Sequence, residues 1–302
     1  MPSPRYDLLA LDLDGTLLDP SGRVSAASAR AVRAARDAGM AVTICTGRGL
    51  AECLFACEAI EQRQPVIVAG GSMISDPVSR RTLHRFPIHV DLVRDAVDFI
   101  HRHGHAALVL KDPLEAGYDY LVVRGRERDH GRFEVDPVTR WWFQTMSIRV
   151  REVDHMDDDE HPEHTVRVGV CGFSDLMAPI KRDLETTFAD RALVHHFPAV
   201  IGPQHTGLVT AARTVDILEL FDRDASKWRG VRKLAQMLGV DVSRVVAIGD
   251  HINDLDMLQN AALGVAMGNA VPEAKAVAKR QTASNAEDGV AEAISRMLSG
   301  EW

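Results

Sequence analysis

The sequence predicts an α/β protein, a Rossmann-like parallel-sheet core with a separate α+β domain inserted in its middle. Three observations lead there. The apolar run Leu8-Leu9-Ala10-Leu11 ends in Asp12-Leu13-Asp14-Gly15, the pattern of a strand buried on both faces that opens into a loop. From Tyr6 to Ala69, strand-like and helix-like segments alternate, an order that implies right-handed crossovers in a parallel sheet. The same alternation returns after Lys227, and the stretch between has a different character.

Residues 6–11 form the first expected strand. Ser25 caps a helix through Ala31, Val32 and Ala35 that stops at Gly39. Residues 41–45 form a second strand, followed at once by Thr46-Gly47-Arg48. A helix with Leu50, Leu54 and Ile60 leads to a third strand over 65–69. The insert then contributes a helix over 90–103, strands over 106–110 and 120–123, and a helix or turn at Trp141-Trp142-Phe143. A strand over 166–170, a helix over 175–188 and a strand over 192–196 follow. The charged, proline-containing run from His155 to His164 could be drawn as a metal site but reads as a solvated loop. In the returning core, residues 227–238 form a helix stopped by Gly239, residues 245–248 and 263–266 form strands, and 272–278 and 289–298 close as helices. The expected boundaries are 1–83 and 213–302 for the core and 84–212 for the insert.

A chain of 302 residues has room for two domains, and 46% hydrophobic with 26% charged residues is an ordinary globular balance. The net charge of -8, from 35 basic against 43 acidic side chains, argues against a nucleic-acid surface, which needs a basic face. It suits a protein that takes a divalent cation first and an anion through it. No apolar run reaches membrane-spanning length and no signal-peptide pattern opens the chain, so a cytoplasmic location is expected. Cys45, Cys53, Cys57 and Cys171 show no CxxC spacing and are read as free thiols.

The chemistry concentrates at strand ends. In open α/β sheets ligands bind at the carboxyl ends of the strands, where Asp12 and Asp14 sit. Neighbouring carboxylates raise each other's pKa, so this placement calls for a cation between or above them. Gly249-Asp250-His251-Ile252-Asn253-Asp254 repeats the pattern, and parallel strands bring Asp250 to the same edge as Asp12. Oxygen ligands without histidine or thiolate at those strand ends favour magnesium over zinc. Asn253 and Asp254 either cap the next helix or orient the ligands beside them. Thr46 offers a hydroxyl to a phosphate oxygen and Gly47 permits close backbone approach. Lys227 opens a helix, where its charge opposes the macrodipole; a bound phosphate together with Asp12 and Asp254 would account for it.

In this order, the four pieces resemble the haloacid dehalogenase-like hydrolases, specifically the Cof-type phosphatases whose large cap is inserted after the second motif (class IIB). Similar text continues over residues 264–270 and 282–291. The resemblance implies a Mg2+-dependent phosphatase acting on a small phosphorylated metabolite such as a sugar phosphate, nucleotide or cofactor precursor. Its implied nucleophile is Asp12, which forms an aspartyl-phosphate, and its acid/base is Asp14. Thr46 and Lys227 would stabilise the transferring phosphoryl group, with Leu13, Gly47, Arg48 and Asn253 as further contacts to the substrate phosphate. Mg2+ would be held by Asp12, the backbone carbonyl of Asp14 and the side chain of Asp250. Asp254 would hold Lys227, Asn253 would support the metal's surroundings, and the cap would close over the site. A phosphomutase and a phospholigand-binding regulator without turnover are the alternatives.

Two departures stand out. Trp228 and Arg229 intervene between Lys227 and Gly230 where the family usually has glycine directly after the lysine, so Trp228 is expected to narrow the pocket or touch the cap. Gly70-Gly71-Ser72 stands where relatives often carry Asn-Gly. Substrate selection would rest on cap residues that carry no recognisable signature; Trp141, Trp142, His195, His196 and His205 are candidates, and each taken singly reads as a packing or surface residue.

Overall fold

The computed structural model describes residues 5–127, 131–201, 203–210 and 213–302. The chain divides into two compact units, Met1–His84 with Ser226–Trp302, and Arg85–Ala225.

In the first unit, five parallel strands run in the order Arg280–Gln281, Leu263–Ala266, Val245–Gly249, Leu8–Leu11, Ala41–Ile44. The two central strands read as continuous apolar runs because both of their faces are covered. Leu8, Ala10, Val245 and Ala247 pack against Val231, Leu234 and Ala235 of helix Lys227–Leu238 and Met257 of helix Leu255–Asn260. Leu9 and Leu11, one pleat out of phase, point to the opposite face. Register fixes the rim: Leu11 pairs with Ile248 on one side and Ile44 on the other, so Asp12, Asp250 and Thr46 emerge from adjacent strand ends.

Local sequence sets the helix ends. Ser25 Oγ accepts from Ser28 N at 3.0 Å to start helix Ala26–Asp37. Ser226 Oγ does the same for Arg229 N at 3.3 Å, and Gly239 closes that helix in the left-handed region. The expected third strand, Val66–Val68, touches the sheet through the parallel bridge between Cys45 and Ile67. It then pairs antiparallel with Met73–Ser75 in a three-stranded sheet that Thr82–Arg85 completes.

The second unit is built on a mixed six-stranded sheet in the order Val150–Val153, Tyr120–Val123, Ala107–Lys111, Thr165–Phe173, Val215–Asp222, Ala192–Pro198. Helices Val90–Arg102 and Ser174–Phe188 bury Val93, Val97, Ile100, Met177, Ile180 and Leu184 against Val109, Leu121, Val168, Leu218 and Leu220. Tyr120, pointing the other way, meets Phe143 of helix Pro137–Thr145 at 4.9 Å between ring centroids.

Two strands of this sheet differ from expectation. Val150–Val153 is a short edge strand with Arg151 and Glu152 in its middle, so it lacks an apolar run to announce it. Val215–Asp222 lies between Thr165–Phe173 and Ala192–Pro198, inside the second sheet. The return to the first unit therefore falls after Ala225, later than the boundary expected between 212 and 213; residue 212 itself lies outside the described residues. The run from His155 to His164 folds as two short 3-10 turns, Met156–Asp158 and Pro162–His164. Among the described residues, no helix is long and apolar enough to cross a membrane. All four cysteines are buried and unbridged.

Candidate active site

Where the two central strands end, a buried charge cluster forms. Asp12 directly follows Leu8–Leu11, and its N–H donates to Ile248 O at 2.9 Å, extending the ladder by one step. Its Oδ1 accepts from Lys227 Nζ at 2.6 Å, and the same ammonium donates to Asp254 Oδ1 at 2.6 Å. The other oxygen of Asp254 accepts from the backbone N–H groups of Asp250 at 2.9 Å and His251 at 3.0 Å. Asp254 thus both ties down the turn after Val245–Gly249 and holds Lys227, and its side chain makes no cap hydrogen bond to the following helix Leu255–Asn260. Thr16 Oγ1 donates to Asp250 Oδ1 at 3.1 Å.

Carboxylate oxygens of Asp12, Asp250 and Asp254 lie within 4.8 Å of one another. Three carboxylates against the ammonium of Lys227 leave the cluster with excess negative charge. Burial, followed by the charge of Asp254, raises Asp12 well above the usual carboxylate range despite Lys227. The same causes push Asp250 up to about 6. Lys227 is lowered by burial, but Asp12 and Asp254 outweigh that and hold it well above its ordinary value. A hard divalent cation relieves this imbalance, and the donor set is all oxygen. The residues present therefore fit Mg2+.

The second strand end completes the arrangement. Thr46 is buried, its N–H donating to Ile67 O at 2.9 Å and its Oγ1 accepting from Arg48 N at 3.1 Å. A methyl group at Gly47 would lie 4.0 Å from Asn253 Nδ2, so the 46–48 and 252–254 turns meet. Arg48, expected at the substrate phosphate, donates instead to both oxygens of Asp14, from Nε at 2.8 Å and from Nη2 at 2.5 Å. Asp14 is half-exposed and Leu13 is fully buried.

Glycines set how closely these parts approach. Gly15 has φ +77°, and a methyl there would lie 2.3 Å from Asp250 Oδ2. At Gly71, φ is +103° and a methyl would lie 2.1 Å from Ser226 O and 2.7 Å from Lys227 N. Gly71 and Gly230, whose methyl would lie 3.3 Å from Gly71 O, let the first turn of the Lys227 helix rest on the turn after Val66–Val68. Trp228 is partly buried against the apolar cluster that includes Cys45, Ile67 and Val231 on one face of the core sheet.

Sequence reasoning singled out neither Gly71's abutment nor Asn269. Asn269 Nδ2 donates to Gly15 O at 2.8 Å and reaches Asp250 Oδ2 at 3.5 Å, tying the loop after the first strand to the metal-ligand candidate. The one available signal was its place in the family-like stretch at 264–270. In the second unit, Trp141 stacks edge-on to His205 at 5.6 Å, His196 bonds Asp216 at 2.7 Å, and His195 lies 5.1 Å from the Phe221 ring. Trp142 meets Trp141 at 6.1 Å.

Residues 9–294 match the family described as haloacid dehalogenase-like hydrolase. The 5-amino-6-(5-phospho-D-ribitylamino)uracil phosphatase YwtE of Bacillus subtilis is 27% identical, over 97% of this chain and 99% of its own. The pyridoxal phosphate phosphatase YbhA of Escherichia coli is 26% identical, over 95% of this chain and 97% of its own. A haloacid dehalogenase-like hydrolase from Bacteroides thetaiotaomicron superposes with a TM-score of 0.74 at 23% identity, covering 97% of this chain and 99% of that one. The chain belongs to the haloacid dehalogenase-like hydrolases and is a Cof-type phosphatase, a phosphoric monoester hydrolase.

Proposed function

We propose that this phosphatase hydrolyses the phosphate ester of a small metabolite through an aspartyl-phosphate on Asp12. The observation that carries the reading is the Asp12–Lys227–Asp254 chain beside Asp250, a buried set at one rim of the sheet. Asp12 attacks phosphorus, its carboxylate oxygen bonding as the ester P–O bond breaks, and Asp14 gives a proton to the leaving oxygen. In the second half, Asp14 takes a proton from water, whose oxygen bonds phosphorus as the Asp12–phosphorus bond breaks. Thr46 and Lys227 stabilise the equatorial oxygens, with the Leu13 backbone, Gly47 and Asn253 lining their approach. Asp12, the backbone carbonyl of Asp14 and Asp250 would hold Mg2+, which when bound neutralises charge between the nucleophile and the anionic substrate.

We assign substrate selection to the inserted unit. The two relatives named above act on a ribitylamino-pyrimidine phosphate and on pyridoxal phosphate, so sugar phosphates, nucleotides and cofactor precursors form the panel to screen. The test is phosphate release across that panel with Mg2+, with Asp12→Asn run beside the parent protein. The expected result is release that needs both Mg2+ and Asp12. Binding of a phosphorylated ligand with no release anywhere on the panel would favour the non-catalytic alternative.

A further inference from the structure

The charged run from His155 to His164 is sorted by the structure into paired groups and a remainder. Asp157 pairs with Arg94 at 2.6 Å, and Glu160 accepts from Arg151 through both oxygens at 2.6 and 2.8 Å. Asp159 is buried against Lys111. Of the other titratable groups in the run, His161, Glu163 and His164 have ligand atoms that all lie within 4.8 Å of one another.

This turn is fixed at both ends. Lys111 Nζ donates to His161 O at 3.0 Å, and Asp112 N donates to His164 O at 2.8 Å. Pro162 stiffens the turn between them. His164 is 13% exposed, with Nε2 3.0 Å from Glu163 Oε1, and the His161 and His164 ring centroids are 6.0 Å apart. Glu163 is 61% exposed, so its side chain can swing to close the remaining distance. The charge of Lys111 is balanced locally by Asp159.

We propose that His161, Glu163 and His164 form a binding site for a borderline divalent ion of the zinc class, separate in chemistry from the oxygen-only cluster around Asp12. Two imidazoles and one carboxylate suit Zn2+, Co2+ or Ni2+, whereas Mg2+ prefers oxygen. Three protein ligands leave one tetrahedral position for water or an exogenous group. Among the described residues, the buried His164 Nδ1 has no hydrogen-bond partner. No acceptor behind that ring raises its basicity, which makes this an exchangeable site rather than a permanent structural one.

The test titrates Zn2+ into the full chain against a chromogenic chelator, with excess Mg2+ occupying the carboxylate cluster, and repeats it with Co2+ read by its visible d–d bands. The expected result is one ion per chain whose affinity falls about tenfold or more in His161→Ala and in His164→Ala, a floor set by what loss of even an outer partner costs. Glu163→Gln, at an exposed position where folding is not at stake, should also weaken binding, and Asp250→Asn should leave it unchanged. Zinc affinity and stoichiometry identical to the parent in the histidine variants would overturn the proposal, as would loss of binding in Asp250→Asn alone. Neither outcome bears on whether Asp12 turns over phosphate esters.

Discussion

Arg48 grips Asp14 by both carboxylate oxygens, at 2.8 and 2.5 Å, and is itself anchored by Nη1 to Glu52 O at 3.2 Å and set over the Phe55 ring at 5.6 Å. A bidentate fork fixes the plane of a carboxylate, which here is the group assigned to move protons at the leaving oxygen.

Arg48→Ala should therefore lower kcat by roughly 10- to 100-fold for alkyl phosphates, a part of the roughly 10²- to 10⁴-fold that general acid–base catalysis contributes, because Asp14 itself is retained. Aryl phosphates, whose leaving group departs without protonation, should lose less. Arg48→Lys should not restore activity, because an ammonium cannot reproduce the fork. Steady-state kinetics on the two ester classes decides the point. Equal losses on both would move Arg48 from Asp14 to the substrate phosphate.

The crowded carboxylates make a prediction about metal removal. Asp250 has a folded pKa of about 6, above its unfolded value, so the folded state binds more protons between those two pKa values. In chelator, its contribution to stability therefore declines as pH rises through about 4 to 6, by roughly 2–3 kcal/mol in all. Asp250→Asn should consequently stabilise the metal-free protein at pH 7.5 and have little effect at pH 4. With saturating Mg2+ the sign should reverse, because the variant has lost a ligand. Urea denaturation at both pH values, with chelator and with Mg2+, measures all four cases. A variant less stable than the parent in chelator at pH 7.5 would show that the cluster carries no such excess charge.

Gly71 gives a test of close approach. Gly71→Ala incurs the left-handed strain of roughly 1–2 kcal/mol and drives a methyl into Ser226 O. Gly22→Ala, at φ +75° with open space around it, isolates the strain alone. The Gly71 variant should unfold at a lower temperature than the Gly22 variant and lose turnover about tenfold or more as Lys227 is displaced from Asp12. Equal melting temperatures and unaltered kcat in the two variants would remove Gly71 from any positioning role.

What could be read from sequence alone follows from how far each signal reaches along the chain. Asp12, Thr46, Lys227 and Asp250 each sit at the end of an apolar run or the start of a capped helix, and parallel pairing then brings them to one rim. Contacts that depend on side-chain rotamers across the fold are not legible in that way. Arg48 could equally have faced a phosphate, and Asn269 finds Gly15 across 254 residues of sequence. Val215–Asp222 was missed as part of the insert because Asp216 and Glu219 interrupt its apolar pattern; Glu219 is buried on the sheet against Arg167 at 2.8 Å, a partner no periodicity announces. Trp228, one step along the helix from Lys227, turns part of its surface onto the apolar cluster, a contact that its position in the sequence does not announce.

The most direct measurement is a rapid acid quench of a single turnover with 32P-labelled substrate and Mg2+, followed by peptide mapping. Label should be found on the peptide containing residue 12, released by hydroxylamine as an acyl phosphate is, and absent in Asp12→Asn. Phosphate formed at the full rate with no protein-bound label, or an active Asp12→Asn variant, would contradict the assignment.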